Sequence, residues 1–247
     1  MANILKIAVI QADLHWEDAV KNRELFSKRI EDITEKVDLI ILPEMFSTGF
    51  SMNAENLAEP NEGTTFKWMQ KTAKENNAAV TGSVIVEENG NYYNRLYFVF
   101  PDGNFKKYDK RHTFTLAKED LTYTAGKERL IVEYKGWKIC PLVCYDLRFP
   151  VWARNTEDYD LLIYVANWPE TRIHAWDVLL QARAIENMSY CIGVNRAGPD
   201  GNDYQYNGHT AVYDGLGASM FDNTSAEEFT EIVSLDRSKI LEIRKKL

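Results

Sequence analysis

The chain has 247 residues, 45% of them hydrophobic, and carries a net charge of −8. That acidity excludes a general nucleic-acid binder, which needs a basic footprint to displace counterions from phosphates. The longest apolar runs fall well short of the 18 residues of a membrane span.

The start, MANILKIAVIQADLHW, lacks the basic, apolar and small-residue segments of a signal peptide. It reads as the first strand, 4–11, of a cytoplasmic protein. A helix is expected over 18–37, where Phe26, Ile30, Ile33 and Val37 recur at steps of four, three and four. Strands follow at 38–43 and 78–86, around a second helix at 64–76, and then at 92–100. PDGN (101–104) marks a turn. FKKYDKRH (105–112) is the one local cationic cluster, and such a run is by default a solvated face. Further strands are expected at 129–134, 137–144, 160–167, 190–195, 209–214 and 229–235, with a long helix over 171–189. YKGW (134–137), GPDGND (198–203) and GLGAS (215–219) read as turns, and DRSKILEIRKKL as a closing helix with a basic end. Alternating strands and helices predict an α/β protein with mixed sheets. No Pro-, Gly- or Ser-rich linker divides it, so residues 1–247 form one expected domain.

Three cysteines with no CxxC pair suit a reducing compartment. Cys140 and Cys144 on one strand would stand roughly 13 Å apart, beyond the roughly 7 Å a disulfide allows. In that compartment the NMS (187–189) and NTS (223–225) triplets carry no glycosylation meaning.

Three apolar runs end on a polar or reactive residue: LIILP on Glu44, ICPLV on Cys144 and LIYVA on Asn167. Runs apolar on both faces predict buried parallel strands, and ligands sit beyond the carboxyl ends of such strands. One shared rim is therefore expected. On it Cys144 is the natural nucleophile, provided a base or a positive group favours its thiolate. His15, His112, His174 and His209 are scattered and form no metal-ligand spacing, so no metal site is expected. Glu44, desolvated at a strand end, is the better base. Lys110 would stabilise thiolate and oxyanion, with the backbone N–H of Tyr145 as a second donor. Cys140 and Cys191 are expected to be inert core cysteines.

In this order, Glu, Lys and Cys are far more specific than any one of them alone. ILPEMFSTGF (41–50), KKYDKRHTF (106–114) and PLVCYDLRFPVWARN (141–155) resemble the nitrilase, or carbon–nitrogen hydrolase, superfamily, as do YVANWP (164–169) and QARAIEN (181–187). The resemblance implies a four-layer α-β-β-α sandwich with two mixed sheets, no cofactor, and protomers paired into homodimers or higher homo-oligomers; helix 171–189 either supplies part of the paired face or is ordinary core packing. It makes Glu44 the general base, Lys110 the oxyanion-stabilising residue and Cys144 the nucleophile. It also implies a second glutamate that orients the lysine, best matched by Glu119, next to Asp120.

YDKRH, CYDLRFPVWARN and YVANWP are most similar to the ω-amidases, which release ammonia from dicarboxylic acid monoamides such as 2-oxoglutaramate and succinamate. Such a substrate needs a cation for its free carboxylate. Arg111, Arg148 and Arg172 lie near the motifs, and Phe114, Arg148 and Trp168 are the residues expected to line the pocket. Arg148 could instead bind a structural acid. A nitrilase or an N-carbamoyl amidase would use the same three residues. A non-catalytic binding protein would have lost one of them. No G-x-S-x-G of a serine hydrolase occurs.

Overall fold

The computed structural model describes residues 3–221 and 224–246, so Asn223 of the NTS triplet lies outside the described residues. The strands in chain order are β1 (Ile4–Gln11), β2 (Leu39–Ile41), β3 (Glu59–Pro60), β4 (Ala79–Glu88), β5 (Asn91–Val99), β6 (Phe105–Asp109), β7 (Val132–Tyr134) and β8 (Trp137–Val143). They continue with β9 (Leu161–Ala166), β10 (Tyr190–Asn195), β11 (Ala197–Pro199), β12 (Gln205–Asn207), β13 (Ala211–Tyr213), β14 (Ser219–Phe221) and β15 (Phe229–Asp236).

Two large mixed sheets result. The first runs β15-β1-β2-β4-β5-β6, with β3 beside the end of β4, and the second runs β14-β13-β10-β9-β8-β7. The runs ending on Glu44, Cys144 and Asn167 contain β2, β8 and β9, which pair in parallel with their neighbours β1 and β4, or with each other and β10.

The period-2 alternation of β1 explains the layering. Leu5, Ile7 and Val9 enter a core shared with the second sheet, while Ala8 and Ile10 face Phe26, Ile30, Phe66 and Met69 of helices Ala19–Glu31 and Thr64–Asn76. On the far side, Trp176, Leu180 and Ala184 of helix Ile173–Asn187 cover the second sheet. The order is helices, sheet, sheet, helix. Helix Arg237–Lys246 is anchored where Arg237 Nε meets the buried Asp160 at 2.8 Å.

Two local expectations are corrected. The first helix stops at Glu31 instead of 37: Ile33 N–H bonds back to Ile30 O, a tightened final turn. Val37 reaches the same core from an irregular segment, so its helical spacing is coincidental. FKKYDKRH is partly a strand, β6, paired with β5. Lys106 and Lys107 are solvated, but Tyr108 is buried in the core between the sheets and Lys110 on the Glu44 and Glu119 carboxylates.

Candidate active site

The Glu44 loop leaves β2 and lies against β4. Met45 N–H donates to Ser83 Oγ at 2.8 Å and Phe46 N–H to Ser83 O at 3.1 Å. This approach requires Gly82, where a Cβ would stand 2.9 Å from the Phe46 ring. Cys144 follows β8 with φ +44, a left-handed conformation rarely adopted by residues with a side chain. The tight reversal turns the sulfur out of the sheet, and its strain is of order 1–3 kcal/mol.

Lys110 follows β6, and the stacking of the two sheets brings it to the same place. Its Nζ donates to Glu44 Oε1 at 2.8 Å and to both Glu119 oxygens at 3.0 Å, with the Phe50 ring centre 5.1 Å away. Glu44 and Glu119 are completely buried, whereas Asp120 is exposed, so the geometry separates the two neighbouring acids. Phe114 N–H holds Glu119 Oε2 at 2.5 Å. Asn94 Nδ2 bridges the carboxylates, at 2.8 Å from Glu44 and 3.3 Å from Glu119. Asn167 closes the far side: its N–H donates to Glu44 Oε2 at 2.9 Å and its Nδ2 to Glu44 O at 2.6 Å.

The electrostatics follow from one cation between two carboxylates. Burial alone would depress Lys110, but Glu119 and Glu44 outweigh it and raise its pKa, so it stays an ammonium. Burial raises Glu119, against the pull of Lys110. Burial also pushes the Cys144 thiol well above the usual range; Glu44, within hydrogen-bonding reach, adds to the rise, and Lys110 only partly opposes it. Of the two ways of activating the sulfur, a base or a cation, burial and Glu44 favour a resting thiol that needs a base. Burial pushes Cys140 up to about 12 and raises Cys191 too, and neither is near these charges.

Beyond the sulfur opens a cavity of about 670 Å³, lined by Lys110, Cys144, Tyr145, Asn167 and, among others, Phe114, Arg148, Trp168 and Arg172. Arg148 lies 5.0 Å above the Trp168 ring and Arg172 4.9 Å above Phe114. No acid pairs with Arg148 among the described residues, so the structural alternative for it is not met. Arg111 instead donates to Gly126 O at 3.1 Å and is absent from the lining. Among the described residues no group of three side chains suited to a metal ion occurs.

Sequence reasoning missed Asn94 and Asp146. Asn94 sits in the aromatic strand YYNRLYFVF, where a buried amide is costly unless bonded, and that was its one signal. Asp146, fully buried two residues after Cys144, accepts from Val143 N–H (3.1 Å), His112 N–H (3.0 Å), Tyr108 OH (2.7 Å) and pairs with His112 Nδ1 (2.8 Å). It ties the Cys144 turn to both flanks of Lys110. Asp146→Ala should lower unfolding stability on the order of 3 kcal/mol, since each unpaired buried donor costs about 1–3 kcal/mol. Urea denaturation checks this, and an unchanged midpoint would refute the tie.

Comparison with known proteins places the chain in a family. The model of the carbon-nitrogen hydrolase family matches residues 6–245. The omega-amidase YafV of Escherichia coli K12 is 45% identical over 245 residues, covering 98% of this chain and 94% of that protein. The 2-oxoglutaramate amidase of Bacillus subtilis is 33% identical, with the same two coverages of 98% and 94%. The CN-hydrolase superfamily protein XC1258 of Xanthomonas campestris superposes with a TM-score of 0.97 at 42% identity, over 100% of this chain and 96% of that one. With the family model spanning nearly the whole chain and relatives this similar along its full length, the chain belongs to the nitrilase, or carbon-nitrogen hydrolase, superfamily, in its ω-amidase branch.

Proposed function

We propose that this chain hydrolyses the terminal amide of a dicarboxylic acid monoamide, such as 2-oxoglutaramate or succinamate, to ammonia and the dicarboxylate. The observation that carries the reading is the Cys144 thiol beside a Glu44–Lys110–Glu119 cluster, at a cavity that also holds unpaired arginines. Relatives that act as ω-amidase and 2-oxoglutaramate amidase support it.

Cys144 Sγ attacks the amide carbon as its proton passes to Glu44, the base within reach. The negative charge that develops on the amide oxygen is met by the Lys110 ammonium and the Tyr145 N–H. That N–H lies in the first turn of the short helix Cys144–Arg148, where amides lack an intrahelical acceptor. Glu44 returns the proton to nitrogen, the C–N bond breaks and ammonia leaves a thioester on Cys144. Glu44 then takes a proton from water, whose oxygen attacks the thioester carbon. The acid is released and the proton returns to sulfur. Glu119 keeps Lys110 charged and in place throughout while Asn94 holds the two carboxylates, and Arg148, braced on Trp168, receives the distal carboxylate.

One domain carries this chemistry, which the shared core from Leu5 to Ile240 supports. A second copy of the chain is the proposed partner for the outer face of helix Ile173–Asn187, where Val178 (49%) and Ile185 (50%) are exposed. No described helix is long and apolar enough to cross a membrane, and three free cysteines support a reducing, cytoplasmic setting. The direct test is ammonia release from 2-oxoglutaramate by wild type and Cys144→Ala. The variant should be inactive, and equal rates would sink the proposal.

A further inference from the structure

Arg172 is the cavity cation that the reaction above leaves unused. It belongs to the turn Glu170–Arg172 that precedes helix Ile173–Asn187. Its guanidinium stacks on Phe114, and among the described residues no hydrogen bond or ion pair reaches that group. The acids sharing the cavity are held elsewhere. Glu17 accepts from Ser51 Oγ at 2.5 Å and Asn53 Nδ2 at 3.3 Å. Asp200 accepts from Tyr206 OH at 2.9 Å and from the N–H groups of Asn202 (2.8 Å) and Tyr204 (3.1 Å).

Trp168 links the two cavity arginines. Its ring lies under Arg148, and its Nε1–H donates to the Arg172 carbonyl oxygen at 2.8 Å. Both guanidiniums thus lie over aromatic rings in the same cavity, with donors to spare. A single guanidinium fork satisfies one carboxylate. A second one there calls for a further acceptor, because a substrate oxygen moved out of water without a partner is penalised.

We propose that Arg172 determines specificity by donating to the 2-oxo oxygen beside the substrate carboxylate, so that the site prefers a 2-oxo acid monoamide to its unsubstituted analogue. The inference rests on the amidase reading and on Arg148 as carboxylate receptor. The two cations then have separate roles, since a 1-carboxy-2-oxo group offers three acceptor oxygens in a row, two for Arg148 and one for Arg172.

The test compares kcat/KM for 2-oxoglutaramate and for glutaramate, which has the same length without the oxo group, in wild type, Arg172→Met and Arg172→Lys. The ratio of the two values should fall by about 10- to 100-fold in Arg172→Met, as for loss of a hydrogen bond to a charged group. Glutaramate itself should change less than about threefold, a shift too small for a lost bond of that kind. Arg172→Lys, which keeps a positive charge and a donor, should show a smaller fall in the same ratio, and it remains informative if the methionine variant does not fold. Equal loss on both substrates would mean that Arg172 only packs or attracts carboxylates, and no loss on either would mean it does not reach the substrate; each overturns the proposal. Wild-type protein that releases ammonia from neither amide would instead overturn the amidase reading itself.

Discussion

Glu44→Gln should abolish ammonia release while making Cys144 easier to alkylate. The two effects have one cause. Glu44 is the group positioned to take the thiol proton, and removing a general base typically costs about 10²–10⁴ in rate. Yet its negative charge is also one of the influences that raise the thiol pKa, against the opposing pull of Lys110. Glutamine removes the first influence and leaves the second. The Cys144 pKa falls, and at a fixed pH near 8 a larger fraction of the sulfur is thiolate. Lys110 keeps its place through Glu119. The measurement is the rate of iodoacetamide labelling followed by mass spectrometry, beside an ammonia assay. Slower labelling of the variant would contradict the electrostatic effect of Glu44 on the thiol, and retained turnover would contradict its role as the base. A simple loss of structure would not raise the labelling of Cys144 above that of the buried Cys140 and Cys191, so their ratio is the internal control.

Lys110→Met should be inactive and markedly less stable, with a stability loss that grows as pH rises. Lys110 is hydrogen-bonded to two wholly buried carboxylates, which Asn94 holds close together. Breaking a buried ion cluster by removing one partner costs about 3–5 kcal/mol. Activity falls with it, since the loss of one oxyanion donor alone is worth about 10²–10³ in rate. The sign of the pH effect follows from Glu119, whose folded-state pKa is already raised by burial and loses its lysine counterweight in the variant. A raised carboxylate pKa favours the folded state at low pH, where the carboxyl is protonated, and that contribution disappears as pH climbs through the raised value. Thermal unfolding of wild type and variant at pH 5 and pH 8 should therefore show the wider gap at pH 8. A gap independent of pH would argue that the carboxylates do not depend on Lys110.

Much of the frame was legible in the sequence. Strand 4–11, strand 190–195 and helix 64–76 occur with the expected ends, because period-2 and 3.6-residue patterns and the residues that punctuate them are local properties. The three apolar runs ending on Glu44, Cys144 and Asn167 were legible for the same reason. They are buried on both faces, and parallel strands announce themselves that way. Motif order did the rest for the family.

Tertiary structure alone decided which groups touch. Asn167 meets Glu44 across 123 positions of chain and Lys110 meets it across 66, distances over which no periodicity carries information. Asn94 as the bridge between two carboxylates, Asp146 as the tie between the lysine and cysteine segments, and the separation of Glu119 from Asp120 all depend on how two sheets stack. The state of the sulfur was open in the sequence for the same reason. A base or a cation could act on it, and only the fold sets burial, a carboxylate and a lysine around it together. Desolvation and charge pairing act through space, and only the packed arrangement states how much water and how many neighbours each group retains.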